Sequence, residues 1–231
     1  MYRYETHMHS APVSRCARAS VRESLEYYKK LGYDGVFVTN HFLDGNVNID
    51  PARPYEEKIN FFFSDYEEAL SLSEEIGIKV FAGVEVSYYG IDFLVYGLDK
   101  EWYLQHPEIM EMPKKQELAF MMEEGALIIH AHPFREDFYI DHIHLFPHQV
   151  HGVEIINASR PDTENEMATL YAKHYGLLEM AGSDNHSADK VKRLAGVEFA
   201  TPVESIQDFI TKVKNNEMSI FTLSGDELLV D

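Results

Sequence analysis

Histidines and carboxylates recur in this sequence as pairs separated by a single residue. The pairs are His7 with His9, His130 with His132, and Asp184 with His186. Because alternate residues of a strand point to the same face, both members of a pair can reach one point. Two single residues, His41 and Glu85, also follow short apolar runs. Imidazole and carboxylate ligands without a cysteine tetrad predict an open, catalytic site for Zn, Mn or Fe.

A histidine considered alone is weaker evidence, because a single imidazole after a strand is more often a capping or packing residue than a ligand. A further group has no strand leading into it, and we interpret its members as surface residues or residues that orient ligands: His142, His144, His148 and His151. Whether His130 is a ligand is left open by the pattern, since it lies within the apolar run that precedes His132.

The elements that must position these residues alternate between strand and helix. Predicted helices cover residues 20–31, 64–75, 113–124, 163–175 and 204–214. Predicted strands cover residues 4–8, 35–39, 78–83, 92–96, 126–130, 177–181, 197–200 and 219–223. Two irregular segments, 43–63 and 134–150, follow candidate ligands, as the pocket-forming loops of barrels do. The alternation predicts βα units with parallel pairing in one α/β barrel, with a doubly wound sheet as the alternative.

Composition narrows the function classes. A chain of 231 residues that is 45% hydrophobic predicts one domain over residues 1–231. The net charge of -19 disfavours nucleic acid and anionic membranes, although divalent cations would reverse the sign locally. A single cysteine, no secretory signal and no long apolar stretch predict a cytoplasmic protein that is not membrane-bound. Motifs of dinucleotide-binding, nucleoside-triphosphate-binding and serine-hydrolase sites are missing.

Taken together and in order, these motifs resemble those of the PHP (polymerase and histidinol phosphatase) family over nearly the whole chain. The matching segments are His7 to His9 (HMH), 39–41 (TNH), 83–87 (GVEVS), His132-Pro133 and 183–186 (SDNH). The resemblance implies a distorted (β/α)7 TIM-like barrel with two or three divalent or trivalent metal ions. It also implies phosphoesterase activity.

The resemblance further implies how the ligands are shared among the ions. One ion would be held by His7, His9, Glu85 and Asp184. Glu85 would bridge to a second ion that also takes His132. A third ion would take His41 and His186.

Two positions depart from the family pattern. Asp92 opens a strand where relatives commonly have histidine, and we include it as a candidate ligand because a carboxylate can also bind metal. Ser14 and Arg15 stand where an aspartate or histidine usually completes the third site. That site is therefore expected to be weak or absent, or to be completed by water or by the thiolate of Cys16.

Metal chemistry then predicts a mechanism. Two cations would present a metal-bound hydroxide to the phosphorus of a small phosphorylated substrate and stabilise the leaving oxygen. His41 or His186 would protonate the leaving group if not fully engaged as a ligand, and Asp184 is the third catalytic candidate. Three arginines follow the ligand motifs and are candidates for binding the phosphate oxygens: Arg15, Arg135 and Arg160.

Two other functions are compatible with the same residues. An amidohydrolase-type enzyme, which would cleave a C–N or C–O bond, also opens with His-x-His. The pairing of Asp184 with His186 and the lack of an obvious lysine candidate for carboxylation count against it. The second alternative is a non-catalytic, metal-binding accessory module, and retention of nearly all the ligands favours catalysis over it.

Overall fold

A single mixed sheet is the centre of the fold in this computed structural model, which describes residues 1–189 and 191–228. Its strands within these residues are β1 (Tyr2–Met8), β2 (Gly35–Val38), β3 (Lys79–Tyr88), β4 (Ile91–Tyr96), β5 (Leu127–Ala131), β6 (Gly152–Asn157), β7 (Leu178–Gly182), β8 (Arg193–Phe199) and β9 (Met218–Ser224). The helices are α1 (Val21–Lys30), α2 (Tyr55–Ile76), α3 (Lys100–Gln105), α4 (Lys114–Glu123), α5 (Asp162–Tyr175) and α6 (Ile206–Lys214). Short 3₁₀ helices cover Pro107–Glu111 and Gly225–Leu228.

The sheet curls into a nearly closed barrel. Its hydrogen-bonded order runs β7-β6-β5-β4-β3-β2-β1-β8-β9. The segment that follows β7 returns to β1, where the Asp184 N–H donates to the His7 carbonyl oxygen at 2.8 Å and the His9 N–H donates to the Asn185 carbonyl oxygen at 3.0 Å. The prediction of a distorted α/β barrel is therefore confirmed. The ends of β1 and β7, both of which carry candidate ligands, meet at this seam.

Strand direction departs from the all-parallel prediction in one part of the barrel. β4 pairs antiparallel with both β3 and β5, because a tight turn at Tyr89 and Gly90, with φ of 50° and 83°, replaces a crossover helix. β8 and β9 are antiparallel as well and extend the sheet beyond β1. As a result Asp92, near the start of β4, lies at the same edge as the ends of β3 and β5.

Several element boundaries also differ from the prediction. α2 begins at Tyr55, inside the segment predicted to be irregular, and β3 runs on to Tyr88, so Glu85 lies within a strand rather than after one. β6 and α3 were not predicted, and β8 begins at Arg193 rather than at residue 197. None of the described helices is long and apolar enough to cross a bilayer.

Local sequence explains where the helices that flank the site begin and end. Ser20 caps α1 in a reciprocal capping box with Glu23. α2 and α5 end at Gly77 and Gly176, which adopt left-handed conformations with φ of 74° and 67°. At these glycines each helix ends, and the chain enters the next strand at the edge of the sheet opposite the candidate ligands.

Aromatic packing supports the first strand directly before its ligands. The Phe37 ring packs against Phe81 and Phe209, with ring centroids 4.9 and 4.3 Å apart, and Tyr96 meets Phe37 edge-on. The Tyr96 hydroxyl donates to the Thr6 carbonyl oxygen at 2.8 Å. Because the pairing register of β1 shifts between Glu5 and Met8, this bond fixes the backbone where the strand is irregular.

Close approach of two strands is also needed beneath the site. A Cβ atom on Gly182 would lie 2.5 Å from the Cβ atom of His7 and 2.8 Å from Glu154 Oε1. Only glycine therefore lets the end of β7 approach His7 this closely.

Candidate metal centre

Seven of the eight predicted metal ligands converge at one edge of the barrel. Their ligand atoms fall into three overlapping groups, in each of which all atoms lie within 4.8 Å of one another. The groups are His7 with Glu85 and His132, His7 with His9 and Asp184, and His9 with His41 and His186. The eighth, Asp92, belongs to none of the groups found among the described residues. Shared members mean that these groups form one continuous cluster.

Glu85 lies at the centre of this cluster and is fully buried. Its Oε1 lies 3.1 Å from His7 Nε2 and 3.4 Å from His132 Nε2, and its Oε2 lies 2.5 Å from His41 Nδ1. Neither oxygen makes a hydrogen bond of good geometry in spite of these short distances. The Glu85 oxygens and the histidine nitrogens therefore lie close together without the alignment that a hydrogen bond needs. Such an arrangement is suited to a carboxylate that binds cations through both of its oxygens.

Two candidate ligands have strained backbones. His132 and Asp184 have φ angles of 26° and 53°, in a region that residues other than glycine rarely adopt. Each costs on the order of 1–3 kcal/mol and persists only where the surroundings impose it. Both side chains reach the cluster, with His132 Nε2 3.7 Å from Asp184 Oδ2. The strain is therefore located at residues whose positions matter to the site.

Hydrogen bonds on the far side of each ring orient His7 and His9. His7 Nδ1 lies 2.9 Å from Glu154 Oε1, a carboxylate that can only accept. His9 Nδ1 lies 3.0 Å from the Ser14 hydroxyl, which donates its own proton to Asn40 Oδ1 at 2.8 Å. Both rings must therefore carry hydrogen on Nδ1, which leaves both Nε2 atoms as acceptors toward the cluster.

Those two Nε2 atoms face each other at 3.2 Å. Two lone pairs at this distance repel unless a positive charge lies between them, either a proton on one ring or a bound cation. Charges in the cluster agree with this. Burial lowers the pKa of His7, but Glu154, Asp184 and Glu85 outweigh it and hold that pKa well above its usual value. Burial, together with His186 and His41, drives the pKa of His9 well below its usual value.

The carboxylates in the cluster stay ionised. Burial acts to raise the pKa of Glu85, but His41, His7 and His9 together bring it well below its usual value. Asp184 behaves in the same way because of its histidine neighbours. Imidazole nitrogens beside ionised carboxylates are a donor set that fits divalent cations, and it contains no closed thiolate tetrad.

Asp92 supports the centre from one side. Its Oδ1 accepts from the Ser87 hydroxyl at 2.6 Å, and its Oδ2 lies 3.0 Å from Arg135 Nη2 and 3.8 Å from His132 Nε2. The carboxylate is therefore placed between an arginine and a candidate ligand. It holds Arg135 next to the cluster, where the buried Nε of this arginine has no hydrogen-bond partner.

The other two predicted phosphate-binding arginines are placed differently. Arg160 makes two bonds to Glu164, from Nε at 2.7 Å and from Nη2 at 2.9 Å, and a third to the Glu136 carbonyl oxygen. Arg15 is exposed, and its Nη2 donates to the Val47 carbonyl oxygen at 3.2 Å. Of the three, Arg135 is the one that the structure places beside the ligand cluster.

His130 lies in the core. Its ring stacks on Phe93 with centroids 4.9 Å apart and meets Phe146 and Tyr171 edge-on at 6.1 and 6.0 Å. Neither ring nitrogen has a hydrogen-bond partner, and burial lowers its pKa to about 3. His130 is therefore a neutral packing residue that belongs to none of the metal-binding groups found among the described residues.

The group of histidines after β5 is also outside the cluster. His142 and His144 lie close to each other, with ring centroids 6.0 Å apart, and His151 accepts the Ile128 N–H at its Nδ1. None of the metal-binding groups found among the described residues includes them.

Glu154 is the principal site residue that the sequence prediction missed. Besides orienting His7, it accepts the His132 N–H and an Asn157 side-chain N–H through its other oxygen, at 3.1 and 2.9 Å. One carboxylate therefore supports two candidate ligands. The sequence does contain an indication of this role, because Glu154 lies between the apolar residues Val153 and Ile155. If that run is recognised as a buried strand, the glutamate is expected to be a buried charge.

Both the sequence and the fold of this chain are similar to those of known proteins. The family model described as PHP-associated matches residues 162–218. Over 95% of this chain, the fold is similar to that of a two-domain protein from Bacteroides vulgatus containing a predicted PHP-like metal-dependent phosphoesterase, with 15% identity and a TM-score of 0.66. The resemblance to the PHP family is confirmed. The chain spans 64% of the length of that two-domain protein.

Two further structures share the PHP-like fold. A predicted metal-dependent phosphoesterase from Bifidobacterium adolescentis matches with 14% identity and a TM-score of 0.54, over 81% of this chain and 88% of that one. An amidohydrolase from Chromobacterium violaceum, with bound sulfate and no metal, matches with 14% identity and a TM-score of 0.54, over 94% and 97%. No curated protein matches the chain by sequence. At such low identity these likenesses establish the fold alone.

The buried imidazole of His130 gives a pH prediction. The unfolded chain binds a proton at this residue below about pH 6.5, whereas the native state does so only near pH 3. The native state therefore loses stability as the pH falls below 6.5, by roughly 2 kcal/mol between pH 7 and pH 5. His130→Phe should remove this part of the pH dependence, as measured by urea unfolding of chelator-treated protein.

His174→Phe, the same substitution on the exposed face of α5, is the matched control and should leave the dependence unchanged. Metal content should be the same in both variants and in the wild type. Loss of bound metal in His130→Phe alone would contradict the placement of His130 in the core.

Proposed function

We propose that this chain is a metal-dependent phosphoesterase that hydrolyses a small phosphorylated substrate. The observation that carries the proposal is the shared position of Glu85, whose two oxygens lie within 3.5 Å of candidate ligands in all three groups. A carboxylate in this position can join neighbouring cations, which is the arrangement that phosphoryl transfer at paired metals requires. Zn, Mn and Fe all suit this donor set.

Bound cations would supply an activated water molecule and neutralise the charge of the phosphate. The chain itself provides the frame. His7, His9 and Glu85 are fully buried and keep bulk water from the inner side of the centre. The side chains of His41 and His186 are 12% and 29% exposed, so an entering phosphate meets them first.

His41 and His186 have two roles open to them. Burial acts to lower the pKa of each, but neighbouring groups raise both values, Glu85 chiefly for His41 and Cys16 with Asp184 for His186. Because His186 Nδ1 faces the Asp184 carbonyl oxygen at 3.0 Å, its Nε2 is the atom that can hold a proton for the leaving oxygen. A nitrogen that binds a cation carries no such proton, so ligation and acid catalysis exclude each other here.

Arg135 is the proposed phosphate-binding residue. Its guanidinium is anchored by Asp92 and by the Gly90 carbonyl oxygen at 2.6 Å, and its buried Nε still lacks a partner. It also lines a cavity of about 580 Å³ formed with Glu136, Asp137 and residues 140–143. A fixed guanidinium with a free donor beside cationic sites is suited to a phosphate oxygen.

The principal alternative is hydrolysis of a C–N or C–O bond, which the likeness to an amidohydrolase fold leaves open. Lys114, which is buried, pairs with Asp44 and Glu117 at 2.7 Å rather than with the ligand cluster. A carboxylated lysine is thus not supported at this position. The net charge of -19 favours small substrates over nucleic acid.

The test is a panel of phosphomonoesters, amides and lactones, assayed with Zn, Mn or Fe. We expect metal-dependent phosphate release that is lost in Glu85→Gln together with bound metal. Loss of a residue that only orients a ligand reduces activity about 10- to 100-fold, so loss of the shared carboxylate should exceed about 100-fold.

Glu117→Gln is the matched control, because Glu117 is also buried but pairs with Lys114 outside the cluster. It should retain metal and turnover. Cleavage of amides or lactones without phosphate release would favour the amidohydrolase alternative. Bound metal without turnover of any substrate would favour the accessory module.

Substitution of the arginines tests the substrate assignment separately. Arg135→Lys keeps the charge but removes the planar fork, and it should raise KM for a phosphomonoester by about 10-fold or more, because one charged hydrogen bond contributes roughly 1.5–3 kcal/mol. Arg160→Lys is the control, since that guanidinium is bound to Glu164. Metal content, measured by elemental analysis, should not change in either variant. Equal KM values would remove Arg135 from the site.

A further inference from the structure

Side chains join β1 to β7 beneath the candidate metal centre. Within the described residues, β1 pairs with β8 only as far as Tyr4, and no strand ladder joins β1 to β7. The Thr6 hydroxyl donates to the Ala181 carbonyl oxygen at 2.7 Å, from one strand to the other. Glu5, which is fully buried, also reaches from β1 to the end of β7. Below the ligands, the spacing of the two strands therefore depends on side-chain contacts.

One oxygen of Glu5 binds the backbone on both sides of this seam. Glu5 Oε1 accepts the His7 N–H at 2.8 Å and the Ser183 N–H at 2.9 Å. His7 and Ser183 are both buried, and the pairing register of β1 is irregular between Glu5 and Met8. Buried backbone N–H groups need an acceptor, and here a side chain supplies it to both of them. Glu5 therefore holds the two strands together at the point where β1 leaves its regular pairing.

The two bound N–H groups lie at, or directly before, candidate ligands of the same cation. His7 is itself a candidate ligand, and Ser183 precedes Asp184, whose backbone is strained with φ of 53°. His7 Nε2 lies 3.5 Å from Asp184 Oδ1, and both residues belong to the metal-binding group that also contains His9. A shift of either strand along or away from the other would change that distance. Because Glu5 binds both backbones through one atom, it fixes the spacing of these two ligands.

We infer that Glu5 is a positioning residue of the metal centre, and that its Oε1 atom holds His7 and Asp184 at the separation that a shared cation requires. This inference rests on the proposed function, because the separation matters only if a cation binds there. Glu5 belongs to none of the metal-binding groups found among the described residues, so it acts through the ligands. Its other oxygen, Oε2, is buried without a hydrogen-bond partner. The contacts of Oε1 therefore carry the role, and an amide side chain, which keeps one oxygen with the same reach, can replace the carboxylate.

The affinity for Zn²⁺ tests the role of Glu5. Full-length protein is treated with chelator and titrated with Zn²⁺ in competition with a chromophoric chelator, and urea unfolding of the metal-free protein gives its stability. Glu5→Leu removes the acceptor and should weaken Zn²⁺ binding about 10- to 100-fold, the range found for residues that orient a metal ligand. Glu5→Gln keeps the oxygen and should bind Zn²⁺ as tightly as the wild type. If Glu5→Leu does not fold, Glu5→Asp replaces it, because its shorter side chain draws the oxygen away from Ser183 and should also weaken binding.

Thr6→Val is the matched control, since it removes the neighbouring hydrogen bond between the same two strands but leaves the backbone of His7 and Ser183 bound to Glu5. It should lower the midpoint of urea unfolding and leave the Zn²⁺ affinity unchanged. Wild-type affinity in Glu5→Leu, an equal loss of affinity in Thr6→Val, or no recovery in Glu5→Gln would overturn the inference and leave the proposed function standing. Failure of the wild-type protein to bind Zn²⁺ would overturn both.

Discussion

The candidate metal centre is arranged around a carboxylate, Glu85, that is fully buried and has no hydrogen bond of its own. Removing an ionised carboxylate from water is strongly unfavourable unless positive charge or donors surround it. Here the surroundings are imidazoles from the ends of β1, β2 and β5, brought to one point by the curvature of the barrel. The structure is therefore organised to place donor atoms around Glu85, and a cation is the charge that satisfies all of them together.

A supporting layer sets the orientation of these donors. Glu154 fixes the tautomer of His7, and Ser14, through Asn40, fixes that of His9. Both arrangements direct Nε2 lone pairs at the same point. Strain at His132 and Asp184 belongs to the same arrangement, since both residues adopt unfavourable backbone conformations at the positions where their side chains join the cluster. The backbone strain and the fixed tautomers have the same result, which is that the ligand atoms meet at one point.

Much of this could be predicted from the sequence, and the reason is physical. His-x-His and Asp-x-His pairs at the ends of apolar runs predicted a common edge, because alternate residues of a strand share a face and barrel strands end together.

Glu154 was not predicted because the short strand β6 was not recognised, so its charge could not be identified as buried. Asp92 was predicted as a ligand from sequence position, and its hydrogen bond from Ser87 and its ion pair with Arg135 emerged only with the reversed direction of β4. Arg160 and Glu164 are four residues apart at the start of a helix, a spacing that favours the observed pairing over contact with a phosphate.

Whether cations occupy the point on which these side chains converge is the central question, and anomalous diffraction from crystals grown with Zn²⁺ answers it directly. We expect anomalous peaks at ligand distance from His7, His9, Glu85 and Asp184, with Glu85 shared by a second ion that also contacts His132. Crystals without a peak among these atoms, or with the imidazoles turned away from one another, would contradict this expectation.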